Sequence, residues 1–313
     1  MLARVANNLF WMGRYLERTE HIARFINVNY FSSLDASNDV SQSRQFVLKS
    51  ILYMVNDVVH NNDDVIDEKE VLYDVGLNPE NPFSVLSCFK YARVNASGSR
   101  DLLSIELFES INSLHHYITN YSAEHFTNAG LDEFTSYVTK EVAALRGKII
   151  ETLMHDEAYA IISLGINLER ASQVIRIINT KYIDAKSSKS ELHGDFNTSY
   201  EWITLLKCIQ SFDMMRRYYK KTPKSADTLD FLILNPLCTK SVVRCLNNAA
   251  KNIKILTRNE AKGGTSYLIN KTRCEYNYKT IDEVEGRFAD CIEDIMDKLN
   301  IITASIEKEF FSY

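Results

Sequence analysis

Residues 13–30, GRYLERTEHIARFINVNY, return at residues 165–182 as GINLERASQVIRIINTKY, without a gap and at an offset of 152 residues. Eight positions are identical: Gly13/Gly165, Leu16/Leu168, Glu17/Glu169, Arg18/Arg170, Arg24/Arg176, Ile26/Ile178, Asn27/Asn179 and Tyr30/Tyr182. The likeness continues in order. Residues 47–51 match 205–209 at an offset of 158, and Leu77-Asn78-Pro79 matches Leu234-Asn235-Pro236 at 157. The same shift aligns Ser84/Ser241, Val85/Val242, Cys88/Cys245, Ala92/Ala249 and Asn95/Asn252. Offsets that change only between elements are what loop insertions produce in a repeated multi-helix unit. The expectation is a tandem duplication, residues 1–154 and 155–313. Its halves are expected to pack about a pseudo-twofold axis as a single all-α domain.

Periodicity supports an all-α, multi-helix bundle. Apolar residues recur at helical spacing over about 2–29, 41–59, 83–95, 99–121, 131–154, 156–182, 200–220, 241–256 and 281–308. Asp156 stands where an N-cap is needed. Residues 60–70 read as a polar, acidic stretch, 185–199 as a Ser-rich linker, and 262–280 as irregular. The 313 residues contain only 10 Gly and 4 Pro, too few for the many tight turns of a sandwich or barrel. The net charge of −5 supplies no basic field for nucleic acid. Six scattered cysteines without C-x-x-C spacing argue against a zinc site and suit a reducing cytoplasm. The start of the chain lacks the apolar run of a signal peptide, and no stretch is long enough to span a membrane.

On the repeated helix, Met12, Leu16, Thr19, Ala23, Ile26 and Tyr30 form a core stripe. The second copy has Leu164, Leu168, Ala171, Ile175, Ile178 and Tyr182. Beside it lies Gly13, Glu17, Glu20, Arg24, Asn27 against Gly165, Glu169, Ser172, Arg176, Asn179. Four of these five pairs match, whereas Tyr15/Asn167, His21/Gln173 and Asn29/Lys181 have drifted apart and are expected to face solvent. A helix-interior Gly costs about 1 kcal/mol relative to Ala. Gly13 and Gly165 are therefore expected to mark a close crossing of the two helices. Glu17–Arg176 and Glu169–Arg24 are the expected pairs across it, with Arg18 and Arg170 able to reach the same carboxylates. Such a cluster can be an ion-pair network that fixes register. It can also be a site where Arg binds a carboxylate or phosphate, with Glu as orienting group or base.

Other patterns are weaker. Asp63, Asp64 and Asp67 form D-D-x-x-D, the spacing that holds Mg²⁺ in prenyl-transfer enzymes, but in an Asn/Asp-rich stretch without a counterpart. No E-x-x-H, G-x-S-x-G, P-loop or G-x-G-x-x-G occurs. No cofactor is expected.

The run LARVANNLFWMGRYLERTEHIAR, residues 2–24, resembles the start of the bacterial alpha-E domain family. HDEAYAIISLGINLERA (155–171), FLILNPLCTKSVVRCL (231–246) and NASGSRDLLSIELFESIN (95–112) resemble later family segments, so the likeness covers nearly the whole chain. Gly13, Arg14, Glu17, Arg18, Arg24, Glu169 and Arg170 fit the family pattern. The resemblance implies an all-helical protein without an assigned reaction. Its members are typically encoded beside circularly permuted ATP-grasp proteins of the amide-ligase type and transglutaminase-like proteins. It points to an accessory or binding module in peptide synthesis or protein tagging, which could also hold a peptide. The alternative is an enzyme acting on a peptide or carboxylate through the Glu/Arg cluster. A third possibility is a Mg²⁺-dependent prenyl-type enzyme using Asp63, Asp64 and Asp67.

Overall fold

Helix α1 (Ala3–Ser32) carries apolar side chains around most of its circumference, and a helix of that kind belongs at a centre. In the computed structural model, which describes residues 1–33, 44–56, 65–188, 199–257 and 263–312, it does sit there. Leu9, Phe10, Met12, Leu16, Ala23, Phe25 and Ile26 are all fully buried. Helix α8 (Glu157–Ser188) is its partner, with Ile161, Ile162, Leu164, Val174, Ile175 and Ile177 fully buried. Asp156 accepts from the backbone N–H of Ala158 at 2.9 Å and so caps α8.

Among the described residues the remaining α-helices are α2 (Arg44–Asn56), α3 (Glu68–Gly76), α4 (Val85–Ser97), α5 (Ile105–Asn120), α6 (Ala123–His125) and α7 (Leu131–Thr152) before α8. After it come α9 (Ser199–Cys208), α10 (Phe212–Tyr219), α11 (Ser225–Leu229), α12 (Val242–Leu256), α13 (Thr265–Tyr278), α14 (Ile281–Glu285) and α15 (Phe288–Ile306). The protein is all-α. Helix α1 packs against α4 and α7, and α5 closes over those two. Helix α8 packs against α12 and α15, and α13 closes over those two. One hydrophobic core runs through residues of both sets. Among the described residues no helix is long and apolar enough to cross a membrane.

The Leu-Asn-Pro segments have matching local structure. Ser84 caps α4 by accepting from Ser87 N–H at 3.1 Å, while its hydroxyl donates to the Asn78 carbonyl at 2.8 Å. Ser241 caps α12 by accepting from Arg244 N–H at 3.1 Å, and donates to the Asn235 carbonyl at 2.6 Å. Each serine ties the loop to the helix that it starts.

The expected 99–121 helix starts only at Ile105, behind a Ser104 cap, and four further segments differ from expectation. Residues 265–278 form α13 rather than an irregular stretch, because its buried side is Thr265, Ser266, Ile269, Thr272 and Tyr276. Only Ile269 among them is aliphatic, so a count of apolar residues misses the helical period. Glu68–Gly76 forms a helix that begins within the acidic stretch and runs past its end, capped by Asp67. The expected 200–220 helix breaks at Gln210, whose φ of 56° no right-handed helix allows. The expected 281–308 helix divides into α14 and α15 around Gly286. The linker assigned to 185–199 lies mostly outside the described residues.

Candidate functional site

At the centre of the α1–α8 interface the two backbones touch. A Cβ built on Gly13 would lie 2.5 Å from the Ile162 carbonyl oxygen, and one on Gly165 would lie 2.2 Å from that of Phe10. Both glycines are there because no larger residue fits. The side chains just beyond follow: Arg14 and Arg18 meet Glu169, and Arg170 meets Glu17, so the two helices run in the same direction through the contact.

Two reciprocal ion pairs close over the crossing. Arg18 donates through Nε and Nη2 to Glu169 at 2.6 and 3.1 Å. Arg170 donates through Nε and Nη2 to Glu17 at 2.6 and 2.9 Å. Each is the bidentate fork that guanidinium and carboxylate geometry favours. A second cation then joins each carboxylate, from α1 again at Glu169 and from α7 at Glu17. Arg14 of α1 reaches Glu169 at 2.7 Å and Thr303 of α15 at 3.3 Å. Arg146 of α7 reaches Glu17 at 3.2 Å and also pairs with Glu20. Glu20 further accepts from Arg24 at 2.7 Å and from Lys240 at 3.4 Å.

The expected pairs Glu17–Arg176 and Glu169–Arg24 are therefore not made. Arg24 turns to Glu20 on its own helix, and Arg176 donates to the Met54 carbonyl at 3.5 Å. Arg24 lies eleven residues past Gly13, about 16 Å along the axis, too far from a contact centred there. Arg18 and Arg170 are next to the crossing and take the carboxylates instead. A second correction concerns the drifted positions. His21, Gln173, Asn29 and Asn167 are buried, not solvent-facing. His21 Nε2 sits 3.2 Å from Glu17, and Gln173 donates to Glu169 at 2.8 Å. Each supports the carboxylate one turn earlier, so the two positions make equivalent contacts with different residue types.

Arg146 and Lys240 were not singled out by sequence reasoning. The residues 157 positions away from them are Thr303 and Phe83, so comparing the copies could not flag them. Asp63 and Asp64 lie outside the described residues. Asp67 accepts from Glu70 N–H at 2.8 Å as a helix cap.

The electrostatics limit the chemistry. Burial alone would raise the Glu17 carboxyl, but Arg170 and Arg146 beside it hold it well below the usual carboxylate range. Burial is likewise overcome at Glu20 by Lys240 and Arg146, and at Glu169 by Arg18 and Arg14. Three permanently ionised, fully buried carboxylates with Arg on their oxygens are poor proton carriers. Burial pushes the matched thiols Cys88 and Cys245 up to about 12, which keeps them protonated and weakly nucleophilic. Burial also lowers the His21 imidazole, although Glu17 beside it works the other way. His21 is neutral at pH 7.

Comparison with known proteins places this geometry. The family model Alpha-E, described as a predicted alpha-helical domain with a conserved ER motif, matches residues 1–311. Glu-Arg occurs in this chain as Glu17-Arg18 and Glu169-Arg170, the two dipeptides that exchange ion pairs. Uncharacterized proteins of Mycobacterium tuberculosis and Mycobacterium bovis are 21% identical over 303 residues, 92% of this chain. The chain spans 34% of the length of those relatives. No solved structure matches.

Proposed function

The chain belongs to the Alpha-E family, and from that premise we propose that it is an accessory, binding module of an ATP-grasp amide-ligase system that makes peptides or tags proteins. The observation that carries the non-catalytic part is the saturation of Glu17, Glu20 and Glu169. Each is 0% exposed and held by Arg from at least two directions. Such a crossing braces a scaffold. The ligase part rests on the family resemblance. It fits relatives in which the region alike to this chain is joined to a much longer polypeptide. A transglutaminase-like protein is the second partner that the resemblance suggests. Six free cysteines, five of them buried, suit work in the cytoplasm.

The test is to co-express the chain with the ATP-grasp-type protein of the same genome. Co-purification, or a changed rate of ATP turnover on adding the purified chain, is expected. Neither effect at micromolar concentrations of both proteins would overturn the proposal. The enzyme alternative is separated by Glu17→Gln. A variant with unchanged thermal stability and lost product would favour a catalytic cluster, whereas a brace loses stability.

A further inference from the structure

The two halves of the crossing differ in charge. Around Glu169 there are two cations, Arg14 and Arg18. Around Glu17 and Glu20 there are four, Arg24, Arg146, Arg170 and Lys240, with a neutral His21 among them. Among the described residues, four cations against two carboxylates leave two positive charges uncompensated in the interior of a chain whose net charge is −5. Buried charges without counter-charge are costly, and a fold retains them where something else supplies the balance.

The hydrogen bonding carries the same message. Among the described residues Arg24 Nε, which is buried, has no partner, and this guanidinium donates only through Nη2 to Glu20. Among the described residues Arg146 donates only through Nη1, which bridges Glu17 and Glu20. Lys240 has three protons and two long contacts, 3.4 Å to Glu20 and 3.3 Å to Gln210. The surplus donors belong to three elements: α1, α7 and the loop that ends at the Ser241 cap of α12. All three converge on the Glu20 carboxylate. The Arg24, Arg146 and Arg170 side chains keep 18%, 17% and 14% of their surface exposed, so the cluster has an edge open to solvent.

By the same count the pair around Glu169 leaves one positive charge over, and aromatic rings face it. Its guanidinium of Arg14 lies 4.9 Å from the Trp11 ring centre and 5.7 Å from that of Phe10, and Arg18 lies 5.4 Å from Tyr15. Aromatic faces absorb part of a cation's field without a counter-ion. No such ring contact is made by Arg24, Arg146, Arg170 or Lys240 among the described residues.

We propose that Arg24, Arg146 and Lys240, backed by Arg170, bind a dianionic oxyanion, a phosphoryl group on a small molecule or free phosphate. Two surplus charges match a phosphoryl dianion, which carries about −1.5 to −2 at pH 7. A single carboxylate would leave one cation uncompensated. Unused guanidinium N–H groups and the lysine ammonium are the donors that recognise such oxygens. The site stands on this geometry alone and holds whether or not the ligase pairing does.

The purified full chain is titrated calorimetrically with inorganic phosphate, glycerol 3-phosphate and acetate at pH 7 and constant ionic strength. Saturable binding of a phosphoryl probe at one site is expected. Lys240→Met and Arg24→Gln should each weaken it by at least about 10-fold, the scale of one lost charge-assisted contact. Arg14→Gln, at the other pair, should leave it unchanged. Tighter binding of the ester assigns the site to phosphate monoesters, and tighter or equal binding of inorganic phosphate assigns it to the free ion. Lys240→Met removes a surplus charge, so it keeps the test valid should Arg24→Gln fail to fold. Absence of saturable phosphate binding, equal affinity in a folded Lys240→Met protein, or acetate binding as tight as phosphate would each overturn the proposal.

Discussion

One methyl group at Gly13 or Gly165 would meet backbone rather than a side chain able to swing away. In an open helix, Gly→Ala gains about 1 kcal/mol. Here the added carbon would push α1 and α8 apart beneath the ion pairs, and overpacking of that kind costs about 1–3 kcal/mol or more. Gly147 supplies the control: it lies within α7, and a Cβ there would have nothing within 4 Å. Gly13→Ala and Gly165→Ala are therefore expected to lower the urea midpoint, and Gly147→Ala to raise it, with m unchanged in all three. A stabilised Gly13→Ala protein would mean that the helices are not held at this spacing.

Between elements, the reciprocal forks set how α1 and α8 meet. Removing one partner of a buried pair leaves the other unpaired, at about 3–5 kcal/mol. Glu17→Gln strands Arg170 and part of Arg146, and should cost that much. Combining it with Arg170→Met should cost less than the two single losses together, because the stranded charge is gone. Strict additivity in the denaturation free energies would show that the fork contributes nothing. This is also the scale at which the sequence was partly legible. Glu17, Arg18, Glu169 and Arg170 stood out because both copies carry them, and Gly13 and Gly165 because a helix interior penalises glycine. The partners were misassigned, since matching stripes do not reveal where two helices diverge, and Arg24 lies beyond that point. Arg146 and Lys240 were invisible because their counterparts are Thr303 and Phe83. Helix α13 was hidden by a buried face of Thr, Ser and Tyr, whereas aliphatic stripes made most other helices readable, though not the breaks at Gln210 and Gly286.

Across the molecule, the crossing joins the two sets of helices that share one core, so its protonation state bears on the stability of the whole chain. The folded carboxyls of Glu17, Glu20 and Glu169 lie below the ordinary 4.5, and the folded imidazole of His21 lies below the ordinary 6.5. A group whose pKa is lower folded than unfolded stabilises the fold above its unfolded value, and that contribution fades as pH falls towards its folded value. Two windows follow. Below pH 6.5 the unfolded chain takes up a proton at His21 more readily than the folded chain, so stability should fall with decreasing pH. The slope is at most about 1.4 kcal/mol per pH unit for one proton. Below 4.5 the carboxylates add a steeper loss. The other half of the crossing suggests the discriminating variant, since Gln173 occupies the place of His21 and hydrogen-bonds Glu169 without titrating. His21→Gln should make the upper window shallower, to what burial of His115 contributes, and leave the lower one in place, as read from denaturation free energies between pH 8 and 4. An unaltered slope between 6.5 and 4.5 in that variant would place the titrating group elsewhere. Loss of the acid-limb dependence would instead mean that Glu17 needs the imidazole, and not only the arginines, to stay ionised.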